Sequence, residues 1–443
     1  MSLEPVDIER RLIDPTTYDE TILRIYTKRA ERGLGHAEFH PHITYFTAAA
    51  DRRALARAIA SSIADATYRP QPVDQWFLET GGKRRTAHTA AFVDHVVGSA
   101  LFRLLSHNAR CRGLPGVYSY LPGLTNLSAM RAFAAFVREH RRRGGPRGTL
   151  LYVLQSDFEK YGDNLPVGPD AALWSMVREV ASLGTPSGQI GCAAWNLITS
   201  LVRPVVRGED GSEFTRLNGV AMGTPLVPVL GNLAVVPMDE AITDIDGVFY
   251  ARYNDDFLVA HPDLSAVHEA DRRIDVLVGQ LGVKRKISKD LRTALSGHGQ
   301  PCQVDPAYRG RDRIDCLGMS VLFDGTVALG PHRLGRLVAR IAARIDGAAA
   351  TLADETPDRR IHHLIVATNV MLDVTNPFAV AGVSALLDAT TDRGSLKDLD
   401  YRVARKIVQA GTRTSGVRGF RQFPPAALYD MGLVSLVKLR NAR

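Results

Sequence analysis

Two adjacent carboxylates, Asp255 and Asp256, stand in the string Arg252-Tyr253-Asn254-Asp255-Asp256-Phe257-Leu258-Val259. A third, Asp157, ends the segment that begins Gly148-Thr149-Leu150-Leu151-Tyr152-Val153-Leu154. Hard divalent cations such as Mg²⁺ take carboxylate oxygens and let substrate phosphates complete their shell. Three carboxylates at one place are what two-metal phosphoryl transfer needs. The competing account of Asn254-Asp255-Asp256 is an ordinary polar turn, because Asn and Asp are default turn formers. The elements that carry the acids decide between the two.

Phe249, Ala251 and Tyr253 alternate before the acids, and Phe257 and Val259 after them. That pattern predicts a β-hairpin with Asn-Asp at its tip. The apolar run before Asp157 predicts a buried strand. If those strands are neighbours in one sheet, the three carboxylates converge.

Elsewhere, helices are predicted around Tyr18 to Arg32, Arg52 to Ala64, His88 to Leu105, Asp170 to Leu183 and Gly231 to Ile242. Trp76-Phe77-Leu78-Glu79, a turn at Gly81-Gly82 and then Lys83, Arg84 and Arg85 predict a basic hairpin. The arginine-rich stretch Val137 to Arg147 reads as a charged loop, and such runs are usually solvated. From Arg333 onward the pattern is helical, with Leu334, Leu337, Val338, Ile341 and Ile345 on one face. Arg333, Arg336, Arg340 and Arg344 form a separate stripe that could meet a phosphate backbone.

The chain has 443 residues, 45% of them hydrophobic and 23% charged, enough for two or three subdomains and too apolar to be disordered throughout. A net charge of +8 favours an anionic partner, nucleic acid above all. The four cysteines (Cys111, Cys192, Cys302 and Cys316) show no zinc spacing, so a reduced cytoplasmic protein is expected. His36, His40 and His42 cluster near Glu38, but no fourth soft ligand with familiar spacing follows. Met1-Ser2-Leu3-Glu4-Pro5 does not read as a secretory leader, and no apolar run reaches the ~20 residues of a membrane span.

Taken in order, these segments resemble the reverse transcriptase family. Gly82-Lys83-Arg84-Arg85 is similar to the fingers segment that meets the incoming triphosphate, and Asp94-His95-Val96-Val97 to the helix start after it. Tyr118-Ser119-Tyr120-Leu121-Pro122-Gly123 resembles the aromatic loop before motif A, and Ser156-Asp157-Phe158-Glu159-Lys160-Tyr161 resembles motif A. The run from Gly219 to Pro228 is similar to motif B, with Asn232 and Asp239 where its helix continues. Tyr253-Asn254-Asp255-Asp256 matches motif C, Leu281-Gly282-Val283 with Lys289 motif D, and Cys316-Leu317-Gly318-Met319 motif E. The likeness covers about residues 70 to 325, and it is the order of the motifs that carries it.

The resemblance implies an α+β right-hand polymerase with fingers, a palm of antiparallel sheet and a thumb, plus a C-terminal helical region. Residues 1–65 would be an N-terminal extension, 66–325 fingers and palm, and 326–443 thumb and helical region. It implies two Mg²⁺ ions, with Mn²⁺ as a substitute, held by Asp157, Asp255, Asp256 and the Phe158 carbonyl. Lys83 and Arg85 would grip the triphosphate, Gly223 would let backbone approach nucleotide or template, and Lys289 would be an acid for pyrophosphate. Tyr253 would pack near the primer end, and Arg336, Arg340 and Arg344 would track the template–primer duplex. The implied partners are an RNA template, a DNA product, a dedicated non-coding RNA, dNTPs, and a partner protein or second copy.

Two departures stand out. Gly162 occupies the place of the family's sugar-gating aromatic, so either Tyr161 substitutes or sugar discrimination is relaxed or handled elsewhere. Ala221-Met222 replaces the usual Pro-Gln before the motif B glycine. With these variants and the helical, basic tail, the chain looks most like the bacterial unknown-group enzymes, defence-associated and abortive-infection reverse transcriptases among them. Template-independent or protein-primed synthesis, an inactive nucleic-acid-binding scaffold and an RNA-dependent RNA polymerase stay open as rivals.

Overall fold

A computed structural model describes all residues except 1–2, 41–42, 81, 145–149, 298–303, 374–382, 384–386, 389, 415 and 442–443, and the side chains of His40, Thr80 and Lys83. The chain forms two units of mixed helix and strand. The first takes residues 1–125 and 152–292, and the second takes 126–151 and 293–443.

In the first unit the helices begin where local chemistry starts them. Asp14 accepts from the Thr16 amide at 2.9 Å and Pro15 is the first residue of Pro15–Ala30. This is the acceptor-then-proline signature of a helix start. Arg52–Ala64 follows and packs on it. The next long helix is Phe92–Arg112, closed by Gly113 in the left-handed region at φ 77°. His88 therefore lies outside that helix. It sits in the strand Lys83–Thr89, which pairs with Val73–Thr80 as the expected basic hairpin. Val205–Arg207 and Glu213–Thr215 extend this sheet to four strands.

The strands Leu151–Asp157, Asp256–His261 and Phe249–Tyr253 lie side by side, antiparallel throughout. Val153, Leu154, Val259 and Ala260 are fully buried. Burying a Leu or Val side chain contributes about 1.5–3 kcal/mol, so the acids stand on a well-anchored support.

In the second unit, Asn126–Gly144 is helical through Arg138, Arg141, Arg142 and Arg143. This corrects the charged-loop reading, although Arg147 and its neighbours lie outside the described residues. Two of these arginines hold main chain. Arg138 donates to the Gly325 carbonyl at 2.7 Å, and Arg141 to those of Phe323 (2.7 Å) and Leu295 (2.9 Å). Arg142 and Arg143 pair instead with Glu139 on their own helix. Arg313–Cys316 and Met319–Leu322 form a tight hairpin through Leu317 (φ 50°) and Gly318 (φ 80°). Both central residues are left-handed, as the two-residue turn demands.

From Pro331 the described segments of this unit are almost all helix. In Pro331–Ala350, Leu337, Ile341 and Ile345 are buried, while Arg336, Arg340 and Arg344 are exposed. Among the described residues no helix is long and apolar enough to cross a membrane.

Candidate active site

The antiparallel register of the strands Leu151–Asp157, Asp256–His261 and Phe249–Tyr253 brings the acids together. Asp157 pairs directly with Asp256, and Tyr253 pairs with Asp256 on the other side. The hairpin turns through two residues, Asn254 and Asp255, with Asn254 at φ 61°. Asn tolerates that conformation better than other non-glycine residues. The Phe158 amide donates to the Asp255 carbonyl at 3.2 Å. Backbone on both sides of Asp157 is thus tied to the hairpin end.

A buried polar network fixes that end. The Arg252 guanidinium and the Asp239 carboxylate are fully buried and bonded through both oxygens, at 2.8 and 2.6 Å. Tyr250 donates to the same carboxylate at 2.6 Å. Arg252 also donates to the carbonyls of Asn232 (3.0 Å) and Asn254 (3.1 Å), the second of which belongs to the turn itself. Burial works against the Arg252 charge, and Asp239 outweighs it, holding the guanidinium above its usual range. Ser119 completes the clamp. Its hydroxyl donates to Asn232 at 2.7 Å and accepts from the Asn254 amide at 2.9 Å.

The segment 284–290 closes on the other side of Asp157. The Lys286 amide donates to the Asp157 carbonyl at 2.9 Å, and the Glu159 amide donates to the Lys284 carbonyl at 2.7 Å. Arg285 pins the segment through Asp271 (2.6 Å), Asp275 (2.7 Å), Asp290 (2.7 Å) and the Ser156 hydroxyl (3.0 Å). So positioned, Lys289 places its ammonium on the Asp157 carboxylate. That contact raises the Lys289 pKa.

The donors here fit a divalent cation. They are all oxygens, the set that Mg²⁺ prefers. Asp157 Oδ1 is buried with no hydrogen-bond partner, while Lys289 sits on Oδ2. Desolvation at the hairpin end, then the charges of Asp255 and Asp157, push the Asp256 carboxyl up to about 6. The site therefore carries more negative charge than its one ammonium balances. Among the described residues, however, no three His, Cys, Asp or Glu side chains are already gathered into a cage.

Other expected site residues fall in different places. Phe158 is buried and stacks on Tyr161 with ring centroids 4.8 Å apart. Tyr161 is buried too, and its hydroxyl donates to the Gly231 carbonyl at 2.5 Å. Its phenol is thus committed to the core, which bears on its reading as a sugar gate. A Cβ on Gly162 would lie 2.3 Å from Met222 Sδ, so the methionine fills the space beside that glycine. Gly223 adopts φ 107°, and a Cβ there would lie 2.5 Å from the His88 carbonyl oxygen. The close approach at Gly223 is to the strand Lys83–Thr89, with the Met222 carbonyl accepting from the His88 amide at 2.7 Å. That packing contact by itself requires glycine here.

Arg85 is exposed on the basic hairpin, opposite Leu78, and Arg84 lies 3.8 Å from the centre of the Phe77 ring. The Lys83 side chain lies outside the described residues, as do the His40 side chain and His42. Tyr253 is partly exposed, with its ring 6.2 Å from that of Tyr120. Arg336, Arg340 and Arg344 belong to the second unit.

Arg252 and Arg285 are the residues that motif reading passed over. A signal existed for the first. An arginine inside an alternating apolar strand must be paired if it is buried.

No protein-family model matches the chain, and no curated protein matches it. The solved structures it is similar to include telomerases. One from Candida albicans, in complex with a fragment of telomeric RNA, shares 10% identity at a TM-score of 0.46 over 83% of this chain and 62% of its own. A Candida tropicalis telomerase without ligand shares 10% at 0.46 over 81% and 68%. A Candida tropicalis form truncated from its C-terminal domain shares 11% at 0.44 over 58% and 56%. The chain thus spans 62% and 56% of the length of the first and third. Likeness at this level has no bearing on function.

Proposed function

We propose that this chain is a DNA polymerase of the reverse transcriptase type, adding dNTPs to a primer 3′-hydroxyl on an RNA template. The observation that carries the reading is the pairing of Asp157 with Asp256 beside Asp255, with an unsatisfied buried carboxylate oxygen at that place. Two Mg²⁺ ions, or Mn²⁺ in their stead, would be held by Asp157, Asp255, Asp256 and the Phe158 carbonyl and would supply charge neutralisation at the triphosphate and a more acidic attacking hydroxyl.

The protein's own residues do the positioning. Arg252 and Ser119 hold the turn through the Asn254 carbonyl and amide, so Asp255 has one place to stand. Preorganised charge of this kind is usually the largest contribution to catalysis. Lys289 carries a proton next to Asp157 and would offer it to departing pyrophosphate. Arg85, with Lys83, would meet the triphosphate from the basic hairpin, where arginine forks onto two phosphate oxygens. Arg336, Arg340 and Arg344 would follow duplex phosphates, with shape rather than sequence read at the minor groove. The proposed role is bacterial anti-phage defence, in the cytoplasm. A dedicated non-coding RNA and a partner protein or second copy are the proposed associates.

One observation favours a different reading. The Lys289–Asp157 ion pair also relieves the acids without metal, as an inactive nucleic-acid-binding scaffold would require. DNA synthesis by the purified protein with Mg²⁺ and labelled dNTPs separates the two. It should be run on an RNA template–primer, on a DNA template–primer and with neither, beside Asp255→Ala. Extension on RNA that disappears in Asp255→Ala supports the polymerase. Nuclease-resolved product without template would establish untemplated or protein-primed synthesis, and no product in any lane would favour the scaffold.

A further inference from the structure

Away from the carboxylates, the first unit holds a second place with the chemistry of nucleotide recognition. The helices Leu173–Ser182 and Cys192–Val202 border a cleft of about 480 Å³. Two of the chain's three tryptophans line it, Trp174 and Trp195, with rings edge to face at 5.8 Å. Arg178 lies over the Trp195 ring at 4.3 Å, and Arg203 lines the same cleft. The lining includes no carboxylate. Hydroxyls of Ser175 and Thr199 complete it, both bonded to helix carbonyls.

Trp174 and Trp195 are both partly exposed, so side by side they leave indole surface open to an occupant. The Trp174 indole N–H is already used on the Gly168 carbonyl at 2.7 Å, so what the ring offers is its π surface. Arg203 is held by its Nε on the Arg216 carbonyl at 3.1 Å, which leaves the end of its guanidinium fork for a ligand. An indole face next to guanidinium groups, without an opposing acid, suits a flat aromatic group that carries phosphate.

We infer that this cleft binds single-stranded nucleic acid, stacking an unpaired base on Trp195 or Trp174 with the adjoining phosphates on Arg178 and Arg203. A duplex suits the cleft less well, because its base faces are already stacked on one another and it offers only phosphates, sugars and groove edges. A single strand presents both parts, and aromatic platforms in basic grooves hold such strands without sequence preference. The inference rests on the lining alone and stands whether or not the carboxylate site polymerises DNA.

The test uses the full chain carrying Trp76→Phe, so that the two remaining tryptophans both lie in the cleft. Indole fluorescence is titrated with a ten-nucleotide oligothymidylate in EDTA, which prevents catalysis, and in parallel with dTTP at equal nucleotide concentration. Saturable quenching by the oligonucleotide alone is expected. Two phosphate contacts predict a log–log salt slope of about −1.4 on a single strand. Trp195→Leu, read through Trp174, should weaken binding roughly tenfold. Arg178→Gln changes an exposed side chain, spares the core, and should lower the slope by about 0.7. Absence of quenching, quenching unchanged by Arg178→Gln, or equal quenching by dTTP would each overturn the inference. Quenching retained in Asp255→Ala while Mg²⁺-dependent synthesis is lost separates this site from the catalytic one. Quenching absent from a chain that still synthesises DNA removes this inference and leaves the polymerase reading intact.

Discussion

Replacing Arg252 by methionine tests the idea that a buried ion pair holds the catalytic turn. The substitution keeps the length of the side chain and removes the cation. It leaves the Asp239 carboxylate fully buried with only Tyr250 as a side-chain donor, and strips the Asn232 and Asn254 carbonyls of their Arg252 donors. Breaking a buried pair by removing one partner costs about 3–5 kcal/mol, because the remaining charge is uncompensated. With a urea m-value of about 3 kcal/mol/M, a loss of ~4 kcal/mol moves the unfolding midpoint down by roughly 1.3 M. Tryptophan fluorescence is the right probe, since Trp76, Trp174 and Trp195 all lie in the first unit. Arg252→Met with Asp239→Leu should recover most of that stability, because apolar replacement of both partners removes the stranded charge. It should not recover DNA synthesis, because the Asn254 carbonyl still lacks its anchor. An unchanged midpoint in the single variant, or full activity in the double, would refute the reasoning.

Other consequences follow from the same geometry. Asp157→Asn and Asp255→Ala should each abolish Mg²⁺-dependent incorporation while circular dichroism stays unchanged. The Asp256 carboxyl titrates near 6, above its unfolded value, so its ionisation weakens the metal-free fold as pH rises from about 4 through 6. Asp256→Asn should therefore raise the metal-free Tm at pH 7.5 and leave it unchanged near pH 4, and Mg²⁺ should raise the wild-type Tm more at pH 7.5 than at pH 5.5. Gly223→Ala forces a Cβ onto the His88 carbonyl at a left-handed φ, and differential scanning calorimetry should find a loss of at least about 1–3 kcal/mol. Changing Arg336, Arg340 and Arg344 to Gln should flatten the salt dependence of duplex binding by up to about 2.7 log units per log unit of salt, about 0.9 for each phosphate no longer neutralised.

The sequence by itself determined the local elements that bear the acids. Alternation from Phe249 to Tyr253 and again from Phe257, around Asn254-Asp255, required a two-residue hairpin, and the hairpin is there. A strand ending at Asp157 was equally legible, because side-chain period and turn chemistry are properties of neighbours along the chain. The Arg52–Ala64 helix and the basic hairpin were readable for the same reason. Local signals misled where a long-range partner changed the meaning of a residue. Arg138 and Arg141 looked like solvated loop and are helical anchors for carbonyls more than 150 residues away. The close packing of Gly223 on the His88 carbonyl was likewise hidden in the sequence. Only the tertiary structure decided that Asp157 faces Asp256, that Arg252 finds Asp239 and the turn, that Lys289 sits on Asp157, and that Trp174 and Trp195 share a cleft. Those pairings join segments between 13 and 132 residues apart. Buried charges demand partners, but the demand names no address, and only the packing of the sheet and its helices supplies one.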